Sequence, residues 1–187
     1  MSQVFHGNTY GADVAPERLS ILFQLRALLL LLRPETQEEF ERDWNSAVAV
    51  RAKGYAPPRL VRVRALSVPT AWALDKNSEE TEEYVEVLQA EESQVEQTRY
   101  IQEIQLRKHA RSLESAMHRA RTFRELAVRM EREGIRRPVY LVDVGAYGLP
   151  YRMFRFDGHH RAICARFLGL ERVPAYVFEV SPPLPMP

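Results

Sequence analysis

The residues with the most chemical potential in this chain are Phe156-Asp157-Gly158-His159-His160-Arg161. The pattern around them predicts a strand over 151–156, a tight turn at Asp157-Gly158, and a helix from about His159 to Leu168 that Gly169 caps. First-turn N–H groups of such a helix have no partner within it, and its dipole favours an anion by roughly 0.3–1 kcal/mol. That is the chemistry of a phosphate site. Gly158 lets a ligand approach the backbone closely. Arg161 can add charge-assisted hydrogen bonds of about 1.5–3 kcal/mol each. His159 and His160 can donate further bonds, or shuttle a proton near neutral pH. Asp157 has two functional readings: it takes a proton from an attacking hydroxyl, or it holds Mg²⁺ beside the phosphates. A third reading makes it simply the helix N-cap, for which aspartate is among the best residues. Adjacent histidines on a helix point about 100° apart, so these two do not chelate a metal together, and one of them can be satisfied internally. Cys164, one turn after His160, reads as a small buried side chain, with a thiolate–imidazole pair as the alternative.

The elements that must position this turn follow from the rest of the pattern. Val139–Val144, introduced by Pro138, is a buried-type strand, with a turn at Gly145, Gly148 and Pro150 before the next strand. Val173–Val180 is a final strand, and Leu60–Leu66, alternating apolar and basic and closed by Pro69, is an early one. From Thr70 to Glu133 there is neither Gly nor Pro, which predicts mostly helix. Ser78 is the expected first start, the Thr122/Glu125 capping box a second, and Gly134 the stop. Upstream, Pro16 opens a helix to about Arg33, where Pro34 stops it. Thr36 and Glu39 form a capping box for a second helix, whose stripe is Phe40, Trp44, Ala47 and Val48 and whose end is Gly54 and Pro57-Pro58. The fold class is therefore α+β: an N-terminal helical extension over 1–55, a mixed domain over 56–180 with a helical insertion at about 78–120, and a proline-rich tail at 181–187. The first 13 residues and that tail read as loosely ordered.

Composition narrows the function classes. The chain has 187 residues, 45% hydrophobic and 27% charged, enough to bury a core without staples. A single cysteine rules out an internal disulfide and a multi-cysteine zinc site, and fits a reducing compartment. The run Ile21–Leu32 is very apolar but too short to span a bilayer, contains Gln24 and Arg26, and lacks the build of a signal peptide. It reads as a buried helix in a cytoplasmic protein. The net charge of +1 creates no global field. Locally, ten acidic residues face two basic ones from Asp75 to Glu103, and ten Lys/Arg face four Glu from Arg107 to Arg137. These are either solvated faces that pair with each other, or a basic stretch that meets phosphates.

Three pieces in order resemble the ParB/sulfiredoxin superfamily: Gly134-Ile-Arg-Arg-Pro-Val-Tyr-Leu, then Tyr151 to Arg161, then Leu168-Gly169 through Val173-Pro174 to Val177. The similarity covers Phe123 to Val180, with Leu60–Leu66 as a first strand. It implies a small sheet with packed helices around a nucleotide-phosphate turn. ParB proteins bind CTP and DNA, sulfiredoxin uses ATP to repair an over-oxidised cysteine, and free-serine kinases phosphorylate an amino-acid hydroxyl. ParB proteins carry Gly-Glu-Arg-Arg at the turn and sulfiredoxin Gly-Cys-His-Arg. The Asp157-Gly158-His159-His160-Arg161 spelling resembles the kinases, where the aspartate is implicated in catalysis. Their glutamate near the end of the first strand has no counterpart in Ala65–Asp75, where Asp75 is the one carboxylate. The resemblance thus implies a nucleotide-dependent phosphotransferase or nucleotide hydrolase acting on a small hydroxylated substrate. ATP, ADP or CTP with Mg²⁺ would sit on Gly158, His159, His160 and Arg161, and Asp157 would be base or Mg²⁺ ligand. The alternatives are a ParB-like CTP- and DNA-associated protein without a helix-turn-helix module, and a non-catalytic assembly protein. No membrane partner is expected, nucleic acid ranks behind the small molecules, and a homo-oligomer is open.

Overall fold

Strand β5 (Arg172–Val180) sets the architecture: Val173, Ala175 and Val177 are buried on one face, and Tyr176 and Phe178 on the other. A strand apolar on both faces needs cover on both. The computed structural model, which describes residues 17–44, 58–74, 80–109, 111–147 and 152–182, supplies it as a mixed α+β fold. Five strands lie in the order β1-β2-β5-β3-β4, with β1 at Glu17–Arg18, β2 at Leu60–Pro69, β3 at Val139–Asp143 and β4 at Met153–Asp157. β2 runs antiparallel to β5, β4 antiparallel to β3, and β3 parallel to β5. That parallel pair requires a crossover. β4 and helix α6 (His159–Phe167) make it, so the predicted turn sits where the chain leaves the sheet.

On one face lie α3 (Thr70–Ala73), α4 (Glu80–Gln89), a 3₁₀ segment Glu92–Gln97, a π-wound segment Tyr100–Lys108, α5 (Leu113–Glu133) and α6. The expected second start at Thr122 is wrong. α5 is continuous and begins at Ser112, whose side chain accepts from the Ser115 N–H at 3.3 Å, and the Thr122 hydroxyl donates back to the His118 carbonyl. A Thr-x-x-Glu box caps only where the chain enters a helix. Here the buried stripe Ala116, Ala120, Phe123, Ala127 and Met130 carries the helix straight through it.

The other face is covered by α1 (Ile21–Leu31) and α2 (Pro34–Asp43), which share a second core with the sheet through Ala27, Phe40, Trp44, Val63, Tyr147 and Phe178. Three expectations are corrected here. The helix does not open at Pro16: Glu17 and Arg18 pair with Ser67 and Leu66 as an edge strand, and the helix starts after Ser20. The start of α2 is not Thr36. Pro34 is its first residue, a position where the missing N–H costs nothing, and Thr36 is buried in the first turn. Finally, α1 is not a buried helix. Only Ala27 is fully buried, while Ile21 and Leu32 are 79% and 78% exposed. The helix lies against β2 beside the sheet edge with α2 alongside, so it buries one stripe and leaves the rest of its surface open.

Gln24 fixes that position. Its amide accepts from the Ala65 N–H at 3.0 Å and donates to the Ala65 carbonyl at 2.6 Å, filling the edge that two-residue β1 leaves unpaired. Gln37 does the same at the start of β2, accepting from the Leu60 N–H at 2.9 Å and donating to the Pro58 carbonyl. Ala47, Val48, the stop at Gly54 and Pro57, the start at Ser78, Gly148 and Pro150, the first 13 residues and positions 183–187 lie outside the described residues. Among the described residues no helix is long and apolar enough to cross a membrane.

Candidate functional site

β4 ends at Asp157 and α6 begins at His159, with Gly158 between them as N-cap at φ +93°. Asp157 is therefore not the N-cap itself. One carboxylate oxygen accepts from the Gly158 N–H at 2.7 Å, and the other accepts from Arg161 Nη2 at 2.6 Å. The carboxylate stands half exposed, and the Arg161 side chain is only 16% exposed. Arg161 also donates to the carbonyls of Arg137 and Pro138. It ties the helix start to the entry of β3, and its guanidinium is engaged rather than held open for a phosphate.

Gly158 is needed for a different reason than ligand approach. It is buried, and a Cβ there would lie 2.8 Å from Val139 Cγ1 and 3.0 Å from the Val139 backbone. The glycine lets α6 seat directly on β3.

His159 points inward. Its Nδ1 lies 2.7 Å from Arg155 Nη2, and Arg155 also donates to the Ala73 carbonyl. A guanidinium only donates, so Nδ1 is the acceptor and the proton sits on Nε2. That Nε2–H is buried with no hydrogen-bond partner among the described residues, and the ring stands edge-on to Tyr84 at 4.8 Å. Burial, then the Arg155 and His160 charges, push its pKa down to about 3. His160 lies against Tyr84 and Phe123, and its pKa is also lowered, by burial first and then by Arg119, Arg155 and Arg161. The expectation of a proton shuttle near neutral pH is thus corrected for His159: the ring is neutral throughout that range because it is buried beside an arginine. Cys164 is fully buried in the core, and burial raises its thiol to about 12, so it carries no thiolate chemistry.

The low His159 value has a consequence for stability. The folded value lies below the unfolded one of about 6.5, so the contribution is full above that pH and is lost as pH falls toward 3. About 2 kcal/mol is expected to disappear between pH 7.5 and pH 5. Urea unfolding across that window should show the decline, and His159→Gln, which cannot titrate, should flatten it. An unchanged slope would place the ring in a more solvated setting.

In front of this turn opens a cleft of about 1040 Å³. Six arginines line it: Arg26 and Arg33 from α1 and its end, Arg136 and Arg137 from the approach to β3, Arg155 from β4, and Arg161. Leu29, Leu30, Tyr140, Phe156 and Tyr176 form apolar walls, and the carboxylates of Asp43 and Asp157 are the only acidic groups lining it among the described residues. Arg136 pairs with Glu133 at 3.2 Å. Among the described residues, the guanidinium groups of Arg26, Arg33 and Arg137 have no hydrogen-bond or ion-pair partner.

The structure thus keeps Asp157, Gly158, His159, His160 and Arg161 together and adds what sequence reading missed. Residues 1–55 carry no functional reading in the sequence, yet Arg26, Arg33 and Asp43 form one wall of the cleft. Their signal is present: Arg26 and Arg33, seven residues apart, are the only charges within an otherwise leucine-rich run. The basic stretch divides. Arg136 and Arg137 reach the cleft, whereas Arg121 and Arg124 pair with Glu92, as the self-pairing reading expects. Comparison with protein-family models, curated proteins and solved structures finds no match for the chain.

Proposed function

We propose that this protein binds a nucleoside triphosphate in the cleft and transfers its terminal phosphoryl group to a small hydroxylated molecule. The observation that carries the reading is the convergence of three arginines with no partner among the described residues, the start of α6 and the Asp157 carboxylate on one cleft with apolar and aromatic walls. Polyphosphate needs several cations with free donors, and a base needs a flat apolar wall. Arg26, Arg33 and Arg137 would meet the phosphates. The order β3-β4-α6-β5 around the turn agrees with the ParB/sulfiredoxin resemblance, which on this reading supplies the phosphate turn without a reactive cysteine.

The step balances simply. The acceptor oxygen forms a bond to the terminal phosphorus, and the bond from that phosphorus to the bridging oxygen breaks. The electron pair leaves with the nucleoside diphosphate, and the hydroxyl proton passes to Asp157. Asp157 suits the task because its two hydrogen bonds fix the carboxylate's orientation and leave lone pairs facing the cleft. Among the described residues no trio of His, Cys, Asp or Glu assembles a metal cage. Mg²⁺ takes one or two carboxylates plus phosphate oxygens, which Asp157 and Asp43 fit; bound there, it would supply charge neutralisation.

Isothermal titration with ATP, ADP and CTP, each with and without Mg²⁺, tests the reading. One nucleotide is expected to bind, and Arg33→Ala and Arg137→Ala are each expected to weaken it by roughly 10-fold or more. These two are cleaner probes than Arg161, whose loss would also release Asp157 and the start of β3. A preference for CTP would favour the ParB-like alternative. No binding of any nucleotide at low salt would reduce the turn to a well-seated helix start.

A further inference from the structure

Helix α1 is apolar on nearly every side: Gln24 and Arg26 are its only polar side chains. Phe23, Ala27, Leu30 and Leu31 turn to the core beneath the sheet, and Gln24 is bonded to Ala65. The opposite side carries Ile21, Leu22, Leu25, Leu28, Leu29 and, at the C-cap, Leu32, each between 49% and 79% exposed. At about 100° per residue these six fill one continuous arc of about 120°. Single exposed leucines are ordinary, but this arc opens roughly 600–700 Å² of unbroken apolar surface, more than the largest patch on a typical monomer. A helix apolar all round belongs in an interior, and α1 is covered on one side only.

We propose that the second side is covered by α1 of a second copy of this chain, packed antiparallel about a two-fold axis level with Arg26 and Ala27. Three observations favour that occupant. Ile21, Leu25, Leu28 and Leu32 follow the 4-3-4 spacing of a helix-pair seam. That spacing reads the same in both directions, so reversing the helix against itself sets Ile21 opposite Leu32 and Leu25 opposite Leu28 at both ends. A two-fold interface needs such a self-complementary patch. The charges at the ends agree. Arg18 precedes the helix and Glu35 follows it, and both are exposed and without an ion pair among the described residues. Antiparallel packing brings each toward its opposite in the other copy, whereas parallel packing would set like against like. The area is also sufficient: two such faces would remove up to about 1,200 Å² from water, above the roughly 1,000 Å² that a specific interface needs. An anionic lipid surface fits less well, because it would meet the exposed Glu17 and Glu35 at the two ends of the stripe. The seam runs along a wall of the basic cleft, which Arg26, Leu29 and Arg33 also line, so the pairing would set two clefts next to each other. It does not depend on what those clefts bind.

The test is sedimentation equilibrium of the full chain. A dimer is expected, with a dissociation constant in the micromolar range. Leu25→Asp with Leu28→Asp, both on exposed positions, is expected to weaken it by about 100-fold or more and to leave the circular dichroism unchanged. Register is read by mixing Ile21→Cys with Leu32→Cys and oxidising with copper–phenanthroline. Cys164 is buried and stays out of the reaction. A disulfide joining the two different variants is expected, with little joining either to itself. A monomer at about 100 μM, or a dimer that the double aspartate variant leaves intact, overturns the proposal. Disulfides that form only within each variant overturn the antiparallel register. A monomer that sediments with phosphatidylglycerol vesicles, and loses them in the double variant, overturns it in favour of a lipid surface.

Discussion

Asp157→Asn is expected to cut phosphoryl transfer by about 10²–10⁴-fold, the usual worth of a positioned general base. Asparagine keeps an oxygen for the Gly158 N–H and differs from the native residue chiefly in charge. The partner it fails is Arg161, which retains its bonds to the Arg137 and Pro138 carbonyls. The lost pair is half exposed on the carboxylate side, so the stability cost is about 0.2–1 kcal/mol. Nucleotide affinity should move the other way. Removing a negative charge from the cleft and freeing Arg161 favours phosphate, so ATP is expected to bind as tightly as to the native protein or more tightly. Diphosphate formation, with water or a small hydroxylated molecule as acceptor, and a parallel titration read the two effects separately. A variant that turns over normally would remove Asp157 from the chemistry. One that loses ATP binding would make it a structural residue.

Gly158→Ala is expected to be the most damaging single-methyl change near the site. Placing a β-carbon at φ +93° costs about 1–2 kcal/mol in backbone strain. The new methyl would also meet Val139 at 2.8–3.0 Å, including its backbone, which cannot swing aside as a side-chain tip can. Overpacking of that kind adds about 1–3 kcal/mol. Gly169→Ala is the matched control: φ is +68°, but nothing lies within 4 Å of its added carbon. At roughly 2–4 °C per kcal/mol for a chain of this size, Gly158→Ala should lower the melting temperature by about twice as much as Gly169→Ala. Equal losses would show that β3 yields freely and that the seat of α6 is soft.

Gly169 also illustrates how well local chemistry was legible. Its positive φ, with the Leu170 N–H bonded back to the Ala165 carbonyl, is the helix ending that a glycine after an apolar run foretells. The strand–turn–helix at Asp157-Gly158 was readable for the same reason, as were β3 and β5, whose unbroken apolar runs announce burial on both faces. The sequence misled where two signals of equal local strength competed. Thr122-x-x-Glu125 and Thr36-x-x-Glu39 spell helix starts, but α5 and α2 had already begun at positions fixed by packing and by Pro34. The leucine-rich run looked buried because hydrophobicity was high all round, yet α1 meets the sheet and α2 on one side only, and its other side is exposed.

What the sequence determined alone is the content of the turn: which groups stand at the start of α6, and that an aspartate, a glycine and an arginine follow one another there. Those relations span a few residues, and backbone geometry fixes them wherever the segment sits. The tertiary structure decided their roles. Arg161 became a strut, His159 a neutral buried ring and Gly158 a packing contact, because each faces residues distant in sequence: Pro138, Arg155 and Val139. It also decided the charge of the site. Arg26, Arg33 and Asp43 are more than a hundred residues away along the chain, and they reach Asp157 because the hairpin packs Ala27, Phe40 and Trp44 on the sheet and is tied to β2 by Gln24 and Gln37. Electrostatic fields sum over positions in space, so a composition with net charge +1 can gather six arginines around one cleft that holds two carboxylates.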